Sequence, residues 1–448
     1  MVNLSVKSLL RYYFFVLLIS SLFNELYSQE KSSSLIIKSN PINESYWWLE
    51  RNNHGKSISK TEFNYMIEFT QLKTSFRINI SNAFKNINYI SGENNDFTDK
   101  EYGKTIYIGE SFLKHNFSQN LFLRAGKYYR DFSLYLNDNL SSGSMLISKN
   151  AQPMPKIGLV GNHKLKNDDI YFSYGIAHGF FRKNAFYTQK APYLHEKFIY
   201  LHLDKGSHKF NFGLVHDAMW GGATPKYGSL PSSFKDFLKV MISADGPPGL
   251  CPECPNYHQN SLGNHLGIWD FYYEKTNINN QKLKFYYQHF FEDTSGLRFA
   301  NKTDGLWGIE LINYIKDTTL LFEYMDTSNA YDNPPYQRDR YYWNYQYRLG
   351  WSYQGNIIGN PYVNTNRVDN TNLVDLKELT QMFHFGATGK LNSNFNYTLL
   401  ASRRININDN INYKISLTRK INTSFNFSVE LVNVKAKQGI STSIEYIF

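Results

Sequence analysis

Residues 338–343, with the sequence RDRYYW, bring two arginines and three aromatic side chains into one short stretch of chain. Aromatic rings pack against the apolar C–H faces of sugars. The planar guanidinium group donates directed hydrogen bonds to carboxylate and hydroxyl oxygens. This stretch therefore predicts a carbohydrate-binding site made of Arg338, Arg340, Tyr341, Tyr342 and Trp343.

The segment ESYWWLER, residues 44–51, offers the same kinds of groups in Trp47, Trp48 and Arg51. A second interpretation fits both clusters. Tryptophan and tyrosine rings are enriched where a membrane meets water, and long basic side chains reach the headgroup layer there. The residue types alone leave sugar binding and membrane anchoring as alternatives.

Two cysteines, Cys251 and Cys254, lie in the stretch CPECP. In an exported protein such a close pair favours a local disulfide. The alternatives are a free dithiol, or a metal site shared with His258 and His265, although that spacing matches no common zinc pattern. The sequence therefore predicts a disulfide, no metal site and no cofactor.

Signatures of catalysis are weak. The stretch GWSYQG around Ser352 lacks the glycine spacing of a nucleophile elbow, and no H-E-x-x-H, phosphate-binding loop or dinucleotide fingerprint occurs. A lipid hydrolase would need Ser352 to meet His289 or His384 and a carboxylate. The stretch EDTSG, 292–296, with Arg298 is interpreted as a solvated loop, with a cation site or a lumen lining as alternatives. We expect a protein that is not an enzyme.

In the segments that carry these groups, apolar and polar residues alternate with a period of two. In SFNFSVEL, residues 424–431, apolar side chains alternate with Asn, Ser and Glu, and LWGIEL, 306–311, behaves alike. Such segments run to about ten residues from position 59 to the end, and aromatic residues, 17% of the chain, crowd their ends. A soluble sandwich has shorter and fewer strands. The pattern predicts an all-β transmembrane barrel of about 16–18 antiparallel strands, since only helices and closed barrels satisfy the backbone in lipid.

Short turns alternate with long connections, which include 85–103, 133–155 and 221–264. With both termini in the periplasm, one more strand is needed, and the pattern places it near 44–56. The insert 221–264 contains PSSFKDFLKVMIS, whose apolar spacing predicts a helix at about 230–243. A Pro-rich coil follows this helix. We expect this insert to fold into the lumen or to cap its mouth.

The two ends of the chain carry further signals. Lys7 and Arg11 precede an apolar run, so residues 1–28 are predicted to be a cleaved signal peptide. Segment 29–58 has room for the first strand, and 59–448 forms the barrel. The last strand should close against the first, and the terminal Phe448 resembles the signal that barrel assembly machinery reads. The net charge of +10 favours anionic partners such as lipopolysaccharide or acidic polysaccharide, and export excludes nucleic acid.

Several stretches together resemble the Wzi-type capsule assembly family of outer-membrane barrels, in its Bacteroidetes form. They are NESYWWLERNNHGKSI, FKDFLKVMI, GNHLGIWDF, QHFFEDTSGLRFANKTDGLWGIEL and YQYRLGWSYQGNIIGNP. The resemblance implies a barrel of about 18 strands in the outer membrane, blocked by loops and helices. It also implies non-enzymatic binding of capsular polysaccharide, to assemble or tether the capsule. A diffusion porin for small solutes is the alternative, and an outer-membrane lipid hydrolase is a weaker one.

Overall fold

The computed structural model describes residues 30–39, 52–56, 61–91, 97–165, 169–183, 190–224, 227–246, 261–329, 341–344, 346–347, 349–354, 356–363, 380–405, 410–434 and 437–448. The predicted signal peptide lies outside the described residues. So do the following side chains of the predicted sites: Trp47, Trp48, Arg51, Cys251, Cys254, Arg338 and Arg340.

One large antiparallel sheet dominates the described chain. Its first ten strands are β1 (Glu30–Ser39), β2 (Thr61–Gln71), β3 (Thr74–Ser91), β4 (Phe97–Ile108), β5 (Ser111–Ser118), β6 (Leu121–Tyr128), β7 (Met154–Lys164), β8 (Ile170–Phe180), β9 (Tyr193–Lys205) and β10 (His208–Trp220). After two short strands, β11 (Ala223–Thr224) and β12 (Gly228–Ser229), it continues with β13 (Asn264–Thr276), β14 (Lys282–Phe291), β15 (Gly305–Ile312) and β16 (Thr318–Asp326). A second short pair, β17 (Ser352–Tyr353) and β18 (Asn356–Ile357), precedes β19 (Gln381–Asn392), β20 (Phe395–Arg404), β21 (Asn412–Lys420), β22 (Phe425–Val434) and β23 (Lys437–Ile447).

The large sheet closes on itself between its first and last strands. Ser34 of β1 is the register partner of Ile447 of β23, and Ser39 is the partner of Thr442. The backbone N–H of Phe448 donates to the carbonyl of Ser33 at 3.0 Å. Closure leaves no open sheet edge, as a barrel in lipid requires. The prediction that the last strand seals the barrel is confirmed.

The barrel has eighteen strands, at the upper end of the predicted range. The large sheet contains nineteen segments, but β4 and β5 are two halves of one interrupted strand. Both pair with β3, β4 along its second half and β5 along its first four residues. Gly109 and Glu110 separate the halves, so the break is an irregularity within one strand of the wall.

Side chains along the strands alternate between lipid and lumen. In β15, Ile309 is exposed on the outside while Gly308 and Glu310 are buried inside. In β21, Ile415 and Leu417 are exposed in the same way. Inside a membrane, such outward apolar side chains contact hydrocarbon. The period of two that predicts the strands thus gives the two faces of the wall.

The first strand lies earlier than the pattern placed it. It is Glu30–Ser39, whereas residues 52–56 form a turn and not part of a strand. The segment 85–103, expected as a long loop, is mostly the hairpin of β3 and β4, which pair up to Ser91 and Phe97. The sequence EKSSSLIIKS of β1 hides its period because serines occupy both faces.

Eight short connections lie on the rim that also holds Glu30 and Phe448; we name it the turn rim. They are 72–73, 119–120, 165–169, 206–207, 277–281, 313–317, 393–394 and 421–424. The opposite rim, named the loop rim, carries the shorter connections 92–96, 405–411 and 435–436 and all the long ones, which are 40–60, 129–153, 181–192, 221–263, 292–304 and 327–380. Outer-membrane barrels have short turns in the periplasm and long loops outside. The added strand β1 therefore gives the parity that periplasmic termini require.

Two short helices occur in the described chain, α1 (Phe234–Met241) and α2 (Thr294–Leu297). Helix α1 begins with a capping box, in which Ser233 accepts from the backbone of Asp236 and Asp236 accepts in return. It matches the helix predicted at about 230–243. Neither helix, in the part of the chain that the structure describes, is long and apolar enough to cross a membrane.

Helix α1 packs against the outside of the barrel. Phe212 of β10 faces outward, and the same parity carries to Ala218 and Trp220. Val240 of the helix is buried against Ala218 and Trp220. The expectation that the insert folds into the lumen or caps the mouth is therefore wrong for its helix. Helical periodicity predicts an amphipathic surface, but it does not tell which face of the sheet that surface covers.

Candidate functional site: the plugged lumen and the loop rim

The connection between β6 and β7, residues 129–153, turns into the lumen, and we name it the first plug segment. Leu140, Met145 and Leu146 within it are completely buried or nearly so. Its many serines and asparagines cap its own turns; for example, Ser148 accepts from the N–H of Asn150 at 3.0 Å. Such local bonds compete with regular structure and keep the chain in a compact, irregular path.

Carboxylates on the barrel wall hold this segment. Asp270 of β13 accepts from the hydroxyl of Ser133 at 2.5 Å and also from the hydroxyl of Tyr135. Glu323 of β16 accepts from the Ser141 hydroxyl at 2.6 Å and the Ser142 N–H at 2.7 Å. Hydrogen bonds to ionised acceptors are stronger than neutral ones. The inward face of the wall is therefore built to bind the donors of the plug.

Neutral wall residues bind the backbone of the same segment. Gln288 of β14 accepts from the N–H of Met145 at 2.9 Å. His384 of β19 donates from Nε2 to the carbonyl of Leu140 at 2.6 Å, while its Nδ1 accepts from Ser402 at 2.5 Å. This pattern places the ring proton on Nε2. The segment leaves the wall at β6, returns to it at β7, and contacts β13, β14, β16 and β19 on the other side of the barrel. It therefore spans the lumen.

A second plug segment, within residues 341–363, packs on the first. The indole of Trp351 donates to the carbonyl of Leu146 at 2.8 Å, and Ser148 bonds with the carbonyls of Ile358 and Gly359. The amide of Asn360 donates to the carbonyl of Gly143 at 2.6 Å. Both segments belong to one buried apolar cluster with the inward wall. Together they form a plug inside the barrel.

The loop before β15 ties this plug to the rim. Asp304 accepts from the Tyr341 hydroxyl at 2.7 Å and from the backbone N–H of Asn329 at 2.9 Å. Burial raises the pKa of Asp304 to about 6, and the hydrogen bond from Tyr341 works against this rise. Asp304 is thus a buried acceptor that joins two connections of the loop rim.

The predicted sugar-binding residues divide into buried and half-exposed ones. Tyr341 and Tyr342 are buried, with exposed fractions of 4% and 0%, so their ring faces are not presented at the surface. The Tyr342 hydroxyl donates to the carbonyl of Met145 and accepts from the N–H of Asn360 at 3.0 Å. Trp343, the next residue, is half-buried. The structure thus buries two of the aromatic residues within the apolar cluster of the plug.

Residues that a hydrolase would need are kept apart. His384 faces the lumen, as its bond to Leu140 shows, whereas His289 bonds with the carbonyl of Gly296 and stacks on Phe299 outside the wall. Ser352 donates to the carbonyl of Leu349 in the plug.

Asp293 of the stretch EDTSG caps α2 through the N–H of Gly296. Among the described residues, no group of three His, Cys, Asp or Glu side chains is placed to hold a metal ion.

The family resemblance implied a blocked lumen, but sequence reasoning did not identify the segments that form the plug or the wall residues that accept their hydrogen bonds. Glu310, Glu323 and Gln288 lie at inward positions of ordinary alternating strands and resemble solvated lumen residues. The available signal was the first plug segment itself. Its 25 residues between two strands are too long for a turn and carry apolar residues that need a core.

A closed antiparallel barrel with an apolar outside, a plugged lumen and long loops on one rim defines an outer-membrane β-barrel protein. The family model of the capsule assembly protein Wzi matches residues 50–371. The chain therefore belongs to the Wzi capsule assembly family, and the membership that the sequence predicts is confirmed.

Solved structures extend the comparison. The chain is similar to Wzi of Escherichia coli, described as an outer membrane protein involved in group 1 capsule assembly and a carbohydrate-binding β-barrel. The identity is 13%, the match covers 97% of this chain and 87% of that one, and the TM-score is 0.59. OmpF of Salmonella typhi matches at 8% identity over 94% and 97% of the chains, with a TM-score of 0.42. The channel DcaP of Acinetobacter baumannii matches at 10% identity over 94% and 96%, with a TM-score of 0.36. No curated protein matches the chain in sequence.

Proposed function

We propose that this barrel binds capsular or other surface polysaccharide without catalysing a reaction, and that it assembles or tethers the capsule at the cell surface. The carrying observation is the plug, which both Asp270 and Glu323 hold to the wall through buried hydrogen bonds. A lumen occupied by a plug held in this way favours a fixed binding platform over a channel for diffusing solutes. Membership of the capsule assembly family supports the polysaccharide as ligand.

The loop rim is the proposed binding face. With the turn rim in the periplasm, the loop rim faces outward, where exported polysaccharide is found. We place the sugar contact at 338–343, with Arg338, Arg340 and Trp343 as the binding groups and the buried Tyr341 and Tyr342 as their support. Trp47, Trp48 and Arg51 remain proposed as a second contact. Lipopolysaccharide and the barrel assembly machinery are the other proposed partners.

Ion conductance separates the tether from a porin. The purified protein in planar lipid bilayers should give no steady current, and deletion of its gene should strip polysaccharide from the cell surface. A steady current from the wild-type protein, with surface polysaccharide intact after deletion, would establish the porin instead.

The binding patch is tested by one triple variant. Arg338→Ala, Arg340→Ala and Trp343→Ala together should weaken polysaccharide binding while the barrel stays folded. A matched control is Arg419→Ala with Lys420→Ala, since these exposed residues lie at the turn rim. Equal binding by the triple variant and the control would move the site elsewhere on the loop rim.

Two covalent features are proposed with it. Cleavage after Ser28 would leave Gln29 as the first residue, which mass spectrometry of the exported protein reads directly. A disulfide between Cys251 and Cys254 should block alkylation until a reductant is added. Alkylation of both thiols without reductant would instead establish the free dithiol.

A further inference from the structure

The outward side chains of strands β8 to β13 change from apolar to polar between the turn rim and the loop rim. Toward the turn rim this outer face exposes apolar side chains such as Ile199 and Phe212. Toward the loop rim, the same outward parity holds four histidines, which we name the outer polar strip. They are His178, His195, His216 and His265. The strip therefore lies just above the apolar band that faces hydrocarbon.

Helix α1 covers the outer polar strip. The ring of Phe237 lies 4.6 Å from that of His178 and 5.5 Å from that of His195, measured between centroids. Ser243, just past the helix, lies 3.1 Å from Nε2 of His216, and Lys197 of β9 donates to the carbonyl of Met241. These contacts fix the helix along the wall at the height where the apolar band ends.

The opposite side of α1 carries an exposed apolar stripe. Phe234, Leu238 and the C-cap residue Ile242 are spaced four apart, so they lie in one line. Their exposed fractions are 75%, 47% and 78%. Lys235, also exposed, flanks the stripe, and Lys239 follows one turn later. A helix with an apolar line beside lysines has the composition of helices that lie in a membrane surface.

A second covering element lies beside it. Phe299, which follows α2, stacks on His289 with 4.1 Å between ring centroids and lies 6.4 Å from Trp269. Trp269 and His289 face outward from β13 and β14. Phe299 itself is 42% exposed. On this side, apolar residues from two connections therefore cover the outside of the barrel near the loop rim.

We propose that α1 is an interfacial helix that inserts Phe234, Leu238 and Ile242 into the outer leaflet of the membrane. Lys197, which bonds with the Met241 carbonyl, lies two residues from Ile199 on the same outward face of β9, so the helix lies beside the apolar band that already faces lipid. Lys235 and Lys239 would meet the anionic headgroup phosphates above them. The helix then shields the outer polar strip from hydrocarbon and sets how deep the barrel sits on this side. This inference is independent of polysaccharide binding.

Spin labels test the proposal. In full-length protein with Cys251→Ser and Cys254→Ser, Phe234→Cys, Leu238→Cys or Ile242→Cys each receives one nitroxide. Each variant is reconstituted in vesicles of phosphatidylethanolamine and phosphatidylglycerol. Each label should relax several-fold more with oxygen, relative to a water-soluble nickel chelate, than a label at Ser229→Cys. Ser229 is exposed in the same insert, on β12 at the loop rim.

An Ile199→Cys label provides the reference for a site in hydrocarbon, and gel mobility before and after heating checks that each barrel is folded. Equal accessibility to the nickel chelate at all three helix positions and at Ser229→Cys would place α1 in water and overturn the proposal. Labels that broaden one another between molecules would show that a second copy of the chain, not lipid, covers the stripe, and this too would overturn it.

Discussion

Tyr341 donates its hydroxyl hydrogen bond to Oδ2 of Asp304 at 2.7 Å, and this contact joins the second plug segment to the loop that precedes β15. The same hydroxyl accepts from the amide of Asn301 at 2.7 Å. The bond makes the packing of the rim depend on the protonation of one buried carboxyl.

Asp304 should make stability depend on pH. Its pKa is raised from 3.8 to about 6 by burial. Folding therefore takes up a proton between about pH 4 and pH 6, and the free energy of unfolding falls as the pH rises through that window. Asp304→Asn should remove this pH dependence, which is worth about 3 kcal/mol across the window. Urea unfolding in detergent micelles at several pH values measures it.

Tyr341→Phe provides the companion test. It removes a donor that favours the carboxylate, so the upper end of the window should move above the wild-type value. An Asp304→Asn protein with the wild-type slope would show that another group carries the pH dependence.

Glu323→Leu should loosen the plug. The change strands the Ser142 N–H and the hydroxyls of Ser141 and Tyr286 without their acceptor. We expect a loss on the order of 3 kcal/mol in the free energy of unfolding, since buried unpaired donors are costly. Intermittent ion current should appear in planar bilayers. Glu68→Leu, which alters only a half-exposed pair with Arg77, is the matched control and should stay silent.

Glu430→Gln should weaken the closing seam. Glu430 on β22 accepts from Lys38 of β1 and lies 3.0 Å from Lys414 of β21. Losing the charge leaves two lysines together in a partly buried site, at a cost of about 1–2 kcal/mol. The heating temperature that unfolds the barrel on gels should fall. Asp204→Asn breaks the more exposed pair with Lys209 and should change it little, whereas equal effects would argue against a special role for the seam.

Gly308→Ala should disturb the wall beneath the plug. A Cβ at this position would lie 2.0 Å from the ring of Tyr286, its register partner on β14. Displacing the ring would also break its bond to Glu323. We expect a loss of about 2 kcal/mol, read as a lower urea midpoint. Adding Tyr286→Leu should relieve the overlap. A double variant whose loss of stability exceeds the sum of the two single losses would contradict this account.

The wall of this protein was predictable because alternation is local. Stretches such as 306–311 and 424–431 show both faces of a strand within a few residues. β1 was not predicted because serines occur on both of its faces, and its strand is defined by backbone pairing with β2 and β23. The placement of α1 was not predicted either, although the change from exposed Phe212 to His216 along the outward face of β10 marks where that face becomes covered.

The site was less predictable than the wall. The residues of RDRYYW were singled out for their chemistry, yet burial of Tyr341 and Tyr342 depends on contacts with Asp304 and Met145, which are distant in sequence. Sequence composition gives the kinds of groups present. It does not give the tertiary contacts that decide whether a ring is a support or a binding surface.

The pairing of Ser34 with Ile447 joins residues roughly 400 positions apart. The first strand therefore gains its second neighbour only after nearly every other strand has been made and exported. Until then its unpaired backbone groups can template the addition of a strand from another molecule. During biogenesis the cell must keep a nearly finished sheet apart from its neighbours, and assembly is most exposed to aggregation just before the final hairpin docks.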